Sequence, residues 1–105
     1  MLIIPVAAVP NQIEAVPLEG QSYILVLNQR STGLFMDVFM NGEAIILGVL
    51  CENRNLIIRN RYLGATGDFY FVDTQGEEDP DYTGLNSRFL LMYAENADLE
   101  ARNVA

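Results

Sequence analysis

Apolar residues recur at every second position through much of this chain, and a period of two is the signature of half-buried β-strands. The clearest instance spans Leu34–Val49, where two apolar runs flank Asn41-Gly42. Asn-Gly supplies the positive φ angles of a type I′ turn, so the segment predicts a two-residue hairpin. Such a turn sets the register: Met40 opposite Glu43, Val38 opposite Ile45, Met36 opposite Leu47 and Leu34 opposite Val49 on one nearly unbroken apolar face. The other face sets Phe39 beside Ala44, Asp37 beside Ile46 and Phe35 beside Gly48, where a ring against glycine is a favourable cross-strand pair. That second face is mixed, so it is open either to solvent or to an interface.

The same period predicts further strands. Ser22–Asn28 places Tyr23, Leu25 and Leu27 on one side and Ile24 and Val26 on the other. Gln12–Val16 alternates before Pro17, which marks an edge strand because proline donates nothing to a ladder. Leu2–Val6 is an edge strand or part of an arm over residues 1–10. Asp68–Thr74 and Arg88–Tyr93 are rich in aromatic and branched residues, and a short strand is expected to begin near Leu56, with a helical turn as its competitor. Gln75–Asn86 has two glycines, one proline, four acids and little apolar content, which predicts a loop of the length that usually serves an interaction. Weak helical character over Glu95–Arg102 lacks a wide apolar face, so residues 95–105 read as a mobile tail. Six or seven short strands without alternating helices predict an all-β chain: one domain over 1–105, built as a small antiparallel β-sandwich or barrel.

Charge narrows the partners. The chain of 105 residues carries a net charge of −8 with no lysine. Residues 1–67 hold five acids against four arginines, whereas 68–105 hold nine acids against two. Phosphate backbones and anionic lipids are recognised by clustered cations, so nucleic-acid and membrane-surface partners are not expected. The apolar stretch Ala44–Cys51 is far shorter than the about 18 residues of a membrane span. Met1–Pro10 has no basic residue and is broken by Pro5 and Pro10, unlike a signal peptide, so synthesis in a cytoplasm without export is expected.

The chemistry available is thin. Without histidine the commonest general base and zinc ligand are missing, and without lysine so are Schiff-base and Walker-type sites. Cys51 has no second cysteine to pair with, and its apolar neighbours make it a buried structural thiol. Glu77-Glu78-Asp79-Pro80-Asp81 offers carboxylates of the kind calcium takes, but its spacing departs from the EF-hand loop and a solvated surface loop is the stronger reading. Gly64-Ala65-Thr66-Gly67 matches neither phosphate-binding fingerprint and reads as a turn. No catalytic residue, cofactor or metal ligand is therefore assigned. What remains are candidate contact residues. Phe35 and Phe39 lie on the mixed hairpin face. Arg54, Arg59 and Arg61 are the one basic cluster, suited either to a partner's carboxylates or to internal pairing with Glu52, Asp68 or Asp73. Tyr82 and Leu85, large apolar residues in a polar loop, either anchor an interface or pack back onto the domain.

Several local strings then point to a family. Ser31-Thr32-Gly33-Leu34, Asn53-Arg54, Tyr62-Leu63-Gly64, Gly67-Asp68 and Phe71-Val72-Asp73-Thr74-Gln75-Gly76 are followed by Asp79-Pro80-Asp81-Tyr82-Thr83-Gly84-Leu85, Ser87-Arg88-Phe89 and Tyr93. With Ile4-Pro5 and Val9-Pro10, they resemble the small baseplate plug proteins of contractile-tailed phages, typified by a cyanophage plug. The resemblance is close over Ser31–Tyr93 and looser over nearly the whole chain. It implies a non-enzymatic structural part of a phage or prophage tail, made in the bacterial cytoplasm and seated in the virion at the baseplate hub. Its implied partners are the hub and other tail proteins, with self-association as a further expectation.

Overall fold

The computed structural model describes residues 2–59, 64–96 and 98. Seven strands form two antiparallel sheets. One is ordered β1 (Leu2–Ile4), β7 (Phe89–Glu95), β6 (Gly67–Asp73). The other runs β2 (Asn11–Leu18), β3 (Gln21–Arg30), β4 (Gly33–Met40), β5 (Glu43–Leu50) in chain order. The all-β expectation holds, and of the two sequence alternatives for Leu2–Val6 the edge strand forms, pairing Leu2 with Tyr93 and Ile4 with Leu91.

Alternation explains which face each strand buries. On β3 and β4 the side chains of Tyr23, Leu25, Leu27, Leu34, Met36 and Val38 are fully buried. They share one core with Phe69 and Phe71 of β6 and Leu91 and Tyr93 of β7. Rings join the two sheets: Tyr23 meets Phe69 edge-on at 5.5 Å between centroids and Tyr93 at 6.2 Å, while Phe69 and Tyr93 pack side by side within their own sheet at 5.2 Å. The buried hydroxyls are satisfied at the same place. Thr66 Oγ1 lies 2.8 Å from the hydroxyls of both Tyr23 and Tyr93, and the Tyr93 hydroxyl also donates to Glu19. Buried phenols need such partners.

Two local expectations are corrected. The Asn41-Gly42 turn forms, with φ of 54° and 84°, and the pairs Met40–Glu43 and Phe39–Ala44 follow it. Beyond them the register slips twice, so Val38 pairs with Ile46, Met36 with Val49 and Phe35 with Leu50. The cause is a bulged β5, in which Gly48 takes a φ of 64° and donates its N–H to Asp37 Oδ1 at 2.6 Å. A bulge adds residues to one strand and bends it. No strand forms over Leu56–Ile58. Instead residues 51–59 run irregularly along the free edge of β6, with Arg54 N–H and Ile57 N–H donating to the Phe71 and Phe69 carbonyls at 2.8 and 2.9 Å. The strand was expected from apolar content, but Ile57 and Ile58 reach the core without a ladder. The tail expectation falls mostly outside the described residues.

Two measurements test this packing. Phe69→Ala removes the ring at the centre of the inter-sheet contact and should cost roughly 3–5 kcal/mol, read as a lowered midpoint in urea unfolding. Cys51 is 1% exposed, and burial pushes its thiol up to about 12. An aromatic disulfide reagent at mildly alkaline pH should leave the native protein unlabelled and label it stoichiometrically in denaturant. Rapid native labelling would show that residues 51–59 open readily.

Candidate docking surface

The outer face of the four-stranded sheet is the most distinctive surface of the molecule. Cross-strand register builds it in rows: Ala15–Ile24–Phe39–Ala44, Ile13–Val26–Asp37, and Asn11–Asn28–Phe35–Leu50. An antiparallel sheet with one solvated face ordinarily shows polar residues there. Here aliphatic and aromatic side chains dominate, with Ile13 70% exposed, Leu50 37% exposed, and Leu47 59% exposed on the bulged edge strand. The one carboxylate in these rows, Asp37, is turned onto the Gly48 N–H. At the rim the Arg30 guanidinium stacks over the Phe35 ring at 5.0 Å, covering apolar carbon with a cation. Exposed apolar side chains gathered on one sheet face make it a candidate docking surface.

The expected contact residues do not converge. Phe35 and Phe39 lie on this outer face, half-buried among Ile24 and Val26. Arg54 and Arg59 project from the segment along β6, and Arg61 lies outside the described residues. Tyr82 is partly buried against the core, and Leu85 is a core residue at 2% exposure. As an interface anchor Leu85 is therefore corrected: its large apolar side chain stands out in a polar loop because it pins that loop inward. Sequence reasoning missed Ile13, Leu47 and Leu50. The signal available was the run Tyr23–Leu27, apolar on both alternating sets in a strand of an antiparallel hairpin.

The acidic loop is organised from within. Asp73 accepts Arg88 Nε and Nη2 at 2.9 and 2.8 Å and the N–H groups of Gln75 and Glu78 at 2.8 and 2.9 Å. Asp79 accepts the Asn53 N–H at 2.9 Å, and Asp81 caps a 3-10 turn at Tyr82–Gly84. Tyr82 N–H reaches Gln29 of β3 at 3.0 Å. The arginine that Asp73 takes is thus Arg88, not Arg54 or Arg59 as internal pairing would have had it. Among the described residues no group of three or more cysteine or carboxylate side chains gathers as a metal cage. No helix among them is long and apolar enough to cross a membrane.

A family model described as cyanophage baseplate Pam3 plug gp18 matches residues 1–96. No curated protein matches the chain.

The Asp73 carboxyl gives a pH prediction with a definite sign. Hydrogen bonding from the Arg88 guanidinium holds it well below the usual carboxylate range. The unfolded chain, with an ordinary aspartate near 3.9, takes up the proton first, so this contribution is present above about pH 4 and is lost as pH falls below it. The thermal midpoint should drop more steeply from pH 5 to pH 3 in the wild type than in Asp73→Asn; equal slopes would refute the assignment.

Proposed function

This chain belongs to the cyanophage baseplate plug family, and from that premise we propose that it is a structural adaptor of a phage or prophage contractile-tail baseplate, docked at the hub through protein–protein contacts. The observation that carries the reading is the apolar outer face of the four-stranded sheet, with Ile13, Phe35, Phe39, Leu47 and Leu50 presented on paired strands. A plug has to adhere firmly to its neighbours, and an ordered face with a single carboxylate in its rows does so with little ordering cost, because β-strands already fix its backbone. Aromatic and aliphatic side chains at the centre with polar groups at the rim is the usual anatomy of such contacts. The role is mechanical rather than catalytic, so it uses neither metal nor cofactor. The hub and adjoining tail proteins are the partners, and the protein passes from the host cytoplasm into the virion baseplate on assembly.

Charging the face tests the reading. Ile13 and Leu47 are mostly exposed, so Ile13→Glu with Leu47→Glu should leave the urea midpoint nearly unchanged while abolishing co-purification with the hub protein of the same tail cluster. Undiminished co-purification of the double variant would overturn the assignment of this face, and absence of binding by the wild type would overturn the hub as partner.

A further inference from the structure

We infer that the depression between Arg54 and Arg59 is a seat for carboxylate side chains of a second, different protein. The inference deepens the adaptor reading and rests on it only in taking the ligand to be a protein. The depression is open, about 420 Å³ in volume, and lined by Arg54, Asn55, Leu56 and Arg59.

Its walls are set before any ligand arrives. Arg54 N–H is held by the Phe71 carbonyl and Ile57 N–H by the Phe69 carbonyl. The N–H groups of Ile58 and Arg59 both donate to the carboxylate of Asp68 at 2.8 Å. Both arginines sit in left-handed backbone, with φ of 64° and 63°. That region is unfavourable for a residue with a long side chain and persists only where surroundings impose it. Here the clamp on β6 and Asp68 imposes it, and the outcome is two arginines lining one open hollow. Arg59 Nε also donates to the Leu56 carbonyl, which fixes that guanidinium and leaves its terminal nitrogens without a partner among the described residues.

Among the described residues neither Arg54 nor Arg59 makes an ion pair. The chain carries 14 acids against 6 basic residues, yet the ion pairs among the described residues belong to Arg88, with Asp73 and Glu78. Asp79 comes within one residue of Arg54 in the fold and spends its Oδ1 on the Asn53 N–H. Asp68 is consumed by backbone donors.

The class of ligand follows from charge and shape. A guanidinium is planar and pairs bidentately with a carboxylate or a phosphate. A net charge of −8 repels a polyphosphate chain, so isolated carboxylates on a protein surface fit and nucleic acid does not. The Leu56 side chain offers apolar contact to the methylenes of a glutamate or aspartate. A second copy of this chain brings another −8, which argues for a different protein.

Nuclear magnetic resonance of the arginine Nε–H groups reads this directly. The full chain, labelled with nitrogen-15, is titrated with a capped, glycine-flanked peptide bearing two glutamates. Parallel titrations use the glutamine version of the peptide and inorganic phosphate. The Arg54 and Arg59 signals should move saturably with the glutamate peptide and several-fold less with the glutamine peptide or phosphate, while Arg30 and Arg88 stay in place. Arg54→Gln with Arg59→Gln, its amide spectrum intact, should abolish the response. No response, an equal response to phosphate, or Arg54 and Arg59 shifts that follow protein concentration alone would each overturn the inference. The outer-face variant Ile13→Glu/Leu47→Glu should respond like wild type, so failure of this seat and failure of the adaptor face are separable.

Discussion

Everything else in the molecule depends on the ring contact between its two sheets. Neither a three-stranded nor a four-stranded sheet of this size is stable in water with its apolar face exposed. Tyr23, Phe69 and Tyr93 bring the sheets together, and Thr66 ties two of their hydroxyls into one buried network. The network has a steric counterpart at Gly67. A methyl group there would lie 2.2 Å from the Ala94 carbonyl oxygen and 2.7 Å from the Tyr93 ring, so β6 pairs closely with β7 only because that side chain is missing. With the sheets held this way, inward residues are committed to one another, and any surface for partners has to lie on the outer faces, the loops or the strand edges.

The edges are largely closed. β6 is covered by residues 51–59, β2 carries Pro17, which lacks an N–H, and β5 is bulged at Gly48 with Asp37 drawn onto it. β1 offers three residues. Natural sheets blunt their edges by these means to avoid edge-to-edge aggregation. Among the described residues the outer face of the four-stranded sheet carries Arg30 over Phe35 as its one cation–ring cover. Closed edges beside one apolar face favour contact through side chains over strand addition.

Legibility from sequence followed the range of the interaction that decides each element. Regular alternation and the Asn41-Gly42 turn are local, and the strands they specify form, with limits moved by a residue or two. The bulge in β5 depends on a hydrogen bond from Gly48 to a side chain across the hairpin, and alternation continues plausibly through it in the wrong register. A short strand was expected to begin near Leu56 because Leu56–Ile58 is apolar and branched, but the apolar residues there answer to the core while the N–H groups answer to β6 and Asp68. The loop 75–86 looked loose because its organising carboxylate, Asp73, precedes it and the matching Arg88 follows it. Of the surface residues, Phe35 and Phe39 were legible because a strict period of two sorts faces, whereas Ile13 joined them only through a pairing partner across β3.

The two irregular segments are held by the same device under opposite electrostatic conditions. Asp73 sits beside a counter-charge, and its fourfold hydrogen bonding favours the ionised form. Asp68 has no cationic partner among these bonds; burial raises its carboxyl above the ordinary value, opposed by N–H donors from Ile58, Arg59 and Phe69. Acid therefore weakens the first clamp through loss of its ion pair. In the second, a raised carboxyl means that folding disfavours the charge, so the ionised clamp costs stability as pH rises above the ordinary aspartate range. That cost is tolerable because the negative oxygens are what three N–H groups of residues 58, 59 and 69 require. Replacing Asp68 by an apolar residue would leave those donors buried without acceptors and would release the segment that carries Arg54 and Arg59. The placement of the surface arginines is thus bound to a buried charge that the core alone would reject.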